Sequence, residues 1–136
     1  MKILALDLGD RWIGTALSDS SCLLARPYKT VERNDLISFL EKLIQEEPIS
    51  EIVIGDPKTL RGTDSEQTKK IICDKEALEE RFPSIRWILW DERLTSKQAT
   101  SLKGTKDKRE IHSVAAALIL DSYLTYKLFQ KGLLSD

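Results

Sequence analysis

A chain of 136 residues has the length of one domain, so a modular protein is excluded, and residues 1–136 are expected to fold as a single unit. With 41% hydrophobic and 32% charged residues, four prolines and six glycines, neither a disordered nor a fibrous chain is expected. Lysine and arginine (21) nearly cancel aspartate and glutamate (22), so the molecule as a whole lacks the basic excess that advertises a nucleic-acid binder.

Residues 2–8 form a near-continuous apolar run, the pattern of a strand buried on both faces, broken only by Asp7. Gly9-Asp10 signals a turn and residues 12–17 resume the strand pattern, which predicts a tight hairpin over 2–18. A third strand over Leu23 to Val31 closes an antiparallel meander. From Asn34, a good N-cap, the spacing of Leu36, Ile37, Leu40, Leu43 and Ile44 predicts a helix that ends at Glu47-Pro48. Residues 51–55 read as a β-branched strand pairing in parallel with the first. A polar helix over 63–81, with Ile71, Leu78 and Phe82 on one stripe, stops at Pro83, and Ile85 to Trp90 form a fifth strand. A loop with a short helix then leads to a long helix rich in Ala and Leu from about Glu110 to Phe129. The pattern specifies an α/β protein with a mixed five-stranded sheet, three strands antiparallel and then two parallel.

No run of about 18 apolar residues exists, and Asp7 comes too early for a signal peptide, so a cytoplasmic protein with no membrane partner is expected. Cys22 and Cys73 have no partner at metal-ligand spacing and read as reduced thiols that pack as small apolar groups.

An aspartate ending an apolar central strand is costly to bury unless it meets a positive partner. Ligands of open α/β sheets gather beyond strand ends, and a divalent cation is the usual partner of a carboxylate there; a salt bridge to Arg11 is the structural alternative. An Asp-x-Gly hairpin opens both the ribonuclease H-like nucleases and the actin-like kinases. The kinases need two such domains, so the length favours the nuclease. A second acidic feature, Asp91-Glu92-Arg93, ends the fifth strand. Because side chains alternate, at most one of Asp91 and Glu92 can join Asp7, and local parity leaves the choice open.

Five ordered blocks span nearly the whole chain: Asp7-Leu8-Gly9-Asp10-Arg11-Trp12-Ile13-Gly14; Ser18-Asp19 with Ala25-Arg26-Pro27; Ile52-Val53-Ile54-Gly55-Asp56-Pro57 with Gly62; Asp91-Glu92-Arg93-Leu94-Thr95-Ser96 with Ala99; and Ser113-Val114-Ala115-Ala116 with Leu120 and Tyr123-Leu124. In these the chain resembles the YqgF/RuvX family of ribonuclease H-like proteins, described as Holliday junction resolvases and as nucleases that process the 5′ end of pre-16S ribosomal RNA. The resemblance implies an RNase H-like fold with helices on both faces of the sheet, and an activity of metal-dependent phosphodiester hydrolysis in ribosome biogenesis. A junction-resolving DNA endonuclease and a catalytically impaired nucleic-acid-binding protein are the alternatives.

The same resemblance implies a site of Asp7, Glu92 and the first residue of an Asp-Ser-x-Ala-Ala block, holding Mg²⁺ or Mn²⁺. Here that block begins with His112, the only histidine in the chain. A neutral imidazole binds Mn²⁺ but is a poor ligand for Mg²⁺, and it can carry a proton near neutral pH. Asp56, where the family generally has an apolar residue, could restore the lost charge, or be a turn aspartate before Pro57. Asp121 is a worse substitute, since nine residues past His112 it lies about 180° around a helix.

Charge is unevenly distributed. From 93 to 109, Arg93, Lys97, Lys103, Lys106, Lys108 and Arg109 stand against Asp107, a balance of +5, which leaves −6 for the remainder. A basic segment beside acidic strand ends suits a phosphodiester backbone, an rRNA precursor or branched DNA. Arg11 could clamp a phosphate or pair with Asp7 or Asp10. No aromatics interleave the basic segment, so base stacking is not expected there. Gly14 is expected to permit close backbone approach rather than chemistry.

Overall fold

The computed structural model describes residues 1–56, 66–91 and 108–132. Five strands, β1 (Lys2–Leu8), β2 (Trp12–Ser18), β3 (Ala25–Glu32), β4 (Ile49–Asp56) and β5 (Arg86–Asp91), form one sheet in the order β3-β2-β1-β4-β5. The first three are antiparallel, and β4 and β5 run parallel to β1. The meander followed by two parallel crossovers is the mixed sheet that the hydropathy pattern predicts.

Three helices complete the fold: α1 (Leu36–Glu46), α2 (Glu66–Arg81) and α3 (Lys108–Gln130). Asn34 does not cap α1; a 3₁₀ turn at Arg33–Asp35 leads into it instead. The Arg33 guanidinium explains that detour, because its Nε and Nη2 donate to the Gly9 carbonyl at 3.1 and 2.9 Å while Nη1 meets Asp74 at 3.0 Å. The turn thus ties the β1–β2 connection to α2. The short helix expected before residue 109 lies outside the described residues.

Alternation along the strands divides the core in two. Leu4, Leu6, Leu8, Ile52, Ile54 and Trp87 pack with Leu36, Leu40 and Leu43 of α1 and Ile71 and Leu78 of α2. Ile3, Ala5, Ala16 and Val53 pack on the other face under Ala116, Ala117, Ile119, Leu120, Tyr123 and Leu124 of α3. Each of the fully buried Leu and Ile side chains contributes about 1.5–3 kcal/mol. Cys22 packs at the margin of the second core, whereas Cys73 is exposed on α2, contrary to its expected burial.

Ala5, Ala16, Ala116 and Ala117 let α3 approach the sheet, and at Gly14 it meets the strand backbone directly. A Cβ on Gly14 would stand 2.0 Å from the His112 carbonyl oxygen and 2.7 Å from the Ser113 nitrogen. No side chain fits there, so the first turn of α3 rests on bare β2 backbone. Gly14 is also the register partner of Asp7 on β1, and the contact therefore sets the start of α3 beside that carboxylate.

At the other end of α3, Tyr123 donates to Glu51 Oε1 at 2.6 Å and Lys127 donates to Oε2. Burial alone would raise the pKa of Glu51, but the bonds from Lys127 and Tyr123 outweigh it and hold the carboxyl below its usual value. Burial, followed by the bond to Glu51, pushes the Tyr123 phenol well above its ordinary range. The helix is thus pinned to the sheet by backbone contact at one end and by a buried charged network at the other.

Gly14→Ala is expected to lower the free energy of unfolding by about 1–3 kcal/mol, because the added methyl must lift the α3 backbone. Urea denaturation of the parent and variant measures it; unchanged stability would mean that α3 does not rest on β2.

Candidate active site

Asp7 follows Ile3 and Ala5 in phase, so its side chain lies on the α3 face, where the strand emerges from the core. His112, in the first turns of α3, meets it there: Nδ1 is 3.4 Å from Asp7 Oδ2. Both side chains are partly open to solvent, 32% for His112 and 21% for Asp7. The hydrogen bond to Asp7 raises the pKa of His112; burial opposes it, and Coulomb attraction to the same carboxylate adds to the rise. Two groups 105 residues apart are thus brought into one pair by the glycine beneath the helix.

Asp56 does not join them. It ends β4 in phase with Ile52 and Ile54, on the α1/α2 face, where it is 1% exposed and accepts a 2.9 Å bond from the buried Thr68 hydroxyl. The physical reason is strand parity. Asp7 is in phase with Ile3 and Ala5, whereas Asp56 is in phase with the opposite set. The charge lost at His112 is therefore not restored from β4. Asp91 likewise follows Trp87 and Leu89, which pack on the α1/α2 side, while Ile88 and Trp90 pack on the α3 side. Glu92, the other candidate, lies outside the described residues, as do Arg93, Lys97, Lys103 and Lys106. Lys108 and Arg109 open α3.

Arg11 turns away from Asp7. Its guanidinium lies 3.7 Å from Glu32 and 5.0 Å from the centre of the Trp12 ring, with the side chain 75% exposed. The ion pair to Asp7 that the hairpin suggested is replaced by the His112 contact. Among the described residues no three His, Cys, Asp or Glu side chains converge, so the described part of the site offers the pair Asp7 and His112.

Ser18-Asp19, quoted in the second sequence block, has a structural role. Ser18 Oγ accepts from the Ile3 amide at 2.8 Å. Asp19 accepts from the amides of Leu24 and Leu23 and from the Ser21 hydroxyl, which lowers its pKa to about 2 and holds the turn in which Cys22 takes φ 60°. Nothing in the sequence pattern singled out the aromatic cluster of Trp90, Tyr123 and Tyr126 at the far end of α3; its members come from two segments that only the fold joins.

The sheet order, the acid at the end of β1 and the helix that delivers a side chain to it define an RNase H-like, resolvase-type fold. Solved structures agree. A Thermus thermophilus RuvC in complex with Holliday junction substrate superposes with TM-score 0.61 at 14% identity, covering 94% of this chain and 96% of that one. The Fowlpox virus resolvase with its junction DNA gives 0.54 at 17% identity, with 94% and 99% covered. The family model described as "RuvX: Holliday junction resolvase" matches residues 1–126, and the chain belongs to this family of nucleases. Relatives bearing the name "Putative pre-16S rRNA nuclease" include those of Rubrobacter xylanophilus, 36% identical with 90% of this chain and 91% of the relative covered, and Thermoanaerobacter pseudethanolicus, 38% identical with 91% and 96% covered. That of Oceanobacillus iheyensis is 38% identical, with 93% and 100% covered.

As the only histidine, His112 gives an isolated NMR titration. Its midpoint is expected above the ordinary value of about 6.5, and Asp7→Asn should return it toward that value. A raised folded pKa means that the pair stabilises fully below the unfolded pKa, and that this contribution is lost as pH rises through the folded one. An unshifted midpoint in the parent protein would contradict the Asp7 contact.

Proposed function

We propose that the chain hydrolyses phosphodiester bonds in a divalent-metal-dependent reaction, with the 5′ end of precursor 16S rRNA as substrate. The observation that carries this is the meeting of Asp7 and His112 at the sheet end, at the position where the sequence blocks of a nuclease family place acids. A carboxylate and an imidazole are a donor set for a divalent ion, one better suited to Mn²⁺ than to Mg²⁺. Asp91 follows the α1/α2 face, away from Asp7, which leaves Glu92 of the family pattern as the proposed third donor. Asp7, Glu92 and neutral His112 would hold the ion, which when bound supplies an acidified water and stabilises charge on the leaving oxygen.

The remaining work falls to the chain's own groups. His112 holds a proton at Nδ1 or Nε2 near neutral pH, poised by the Asp7 carboxylate. The exposed Arg11 guanidinium, stacked on Trp12, is free to reach a phosphate oxygen at the cost of a weak surface pair with Glu32. Arg93, Lys97, Lys103, Lys106, Lys108 and Arg109, a run of +5 in the sequence, would supply positive charge toward a phosphodiester backbone. Such a role suits the cytoplasm; among the described residues no helix is long and apolar enough to cross a membrane.

A second reading is favoured by His112 itself: a family member whose catalysis has weakened and which keeps nucleic-acid binding. Cleavage of a labelled rRNA precursor distinguishes the two. The parent is expected to cleave with Mn²⁺ better than with Mg²⁺, and Asp7→Asn to lose on the order of a hundredfold or more. His112→Asp should raise the Mg²⁺-supported rate. Absence of cleavage with either ion, together with no gain in His112→Asp, would leave the binding protein. Full activity in Asp7→Asn would dismiss this site. A branched DNA substrate run alongside separates rRNA processing from junction resolution.

A further inference from the structure

β5 is an edge of the sheet, and α3 runs from His112 above β2 to Lys127 beside Glu51 of β4, with the Tyr126 ring reaching Trp90 of β5. Between the helix and the edge strand lies a cleft of about 320 Å³ lined by Arg86, Trp90, Tyr123, Tyr126, Lys127 and Gln130, among others. Trp90 is fixed at its floor. Its Nε1 donates to Ser122 Oγ at 3.2 Å, and its ring meets Tyr123 edge-on at 5.3 Å and Tyr126 at 5.2 Å. Tyr126 is 44% exposed, and its hydroxyl accepts from Gln130 at 2.6 Å. Two cations and no carboxylate line the cleft.

The cleft lies on the same face of the sheet as Asp7 and opens toward the far end of α3. One step beyond the aligned Leu6, Ile54 and Leu89, the register places Asp7, Gly55 and Trp90 in a single row across β1, β4 and β5. Two strand spacings, about 10 Å, separate the backbones at Asp7 and Trp90, and Tyr126 stands fourteen residues beyond His112 along α3, about 21 Å. A single strand with a phosphate at Asp7 spans that distance in a few nucleotides. Pre-ordered aromatic rings with an open face, beside the Arg86 guanidinium and the Glu51-paired Lys127, are features that stack unpaired bases.

We infer that the Trp90–Tyr126 cleft is a stacking platform for an unpaired base of a single-stranded segment that runs along α3 from the phosphate at Asp7. The nuclease reading supplies the identity of the ligand as nucleic acid; the platform itself rests on the aromatic geometry. A duplex keeps its bases stacked on each other and cannot use the platform, so the cleft selects single-stranded flanks. The ring face accepts any base, and sequence preference is weak.

The test is binding, read apart from cleavage. Fluorescence anisotropy in EDTA measures the affinity for a short single-stranded RNA, the same sequence as DNA, and the RNA duplex. Tyr126→Ala should weaken the single strands about tenfold and leave the duplex within twofold, while Tyr126→Phe binds as the parent does. A comparable loss with RNA and DNA identifies the base as the group recognised. Circular dichroism melts check that the surface substitution leaves the fold intact. Parent-like single-strand binding by Tyr126→Ala, or an equal loss for duplex, overturns the platform, as does a change confined to self-association in sedimentation. Asp7→Asn separates the two readings: it abolishes cleavage if the nuclease site is correct, and single-strand binding that still depends on Tyr126 in that background keeps the platform whichever way cleavage falls.

Discussion

The site hangs on a backbone contact. Where Gly14 lies opposite Asp7, the first turn of α3 sits directly on β2, and any side chain there would occupy the space of the His112 carbonyl. Everything functional on the α3 face follows from that seating. It fixes which helical residue arrives at Asp7 and, together with the small residues Ala5, Ala16, Ala116 and Ala117, how closely the helix packs. Farther along it determines where the helix leaves the sheet, at the Glu51–Tyr123–Lys127 network and the aromatic cleft.

Electrostatics on this scaffold are sorted by face. Asp7 and His112 share the open end of the α3 side, whereas Asp56 is buried on the other side against Thr68. A carboxylate beside an imidazole is a softer and less negative donor pair than two carboxylates, and the raised pKa of His112 is the direct consequence of that pairing. With His112 rather than a second carboxylate beside Asp7, the charge at this end of the sheet is less negative.

The near-zero net charge reads differently once it is distributed. A stretch carrying +5 is joined to a remainder carrying −6, much of which is engaged in structural pairs, such as Glu51 with Lys127, Asp74 with Arg33 and Glu47 with Lys2. What a polyanion meets is set by which charges are already paired, and that is a property of the fold.

Strand order, the hairpin, the crossovers and the two long helices were legible in the sequence because they follow from local periodicity and turn chemistry: apolar runs for β1 and β4, helical spacing for α1, proline after α2. Asp7 was legible for a related reason, since a charge ending a buried strand demands a partner. Local pattern left Arg11, four residues away, as the nearer partner; the family resemblance put His112 at the site, and only the packing of α3 on Gly14 brings that residue, 105 positions away, against Asp7. The sequence could not place Asp56 against Thr68, or gather Trp90, Tyr123 and Tyr126 into one cleft. Periodicity fixes what each element is and which of its residues share a face. Which faces meet, and at what depth, is decided by close packing between elements far apart in the chain.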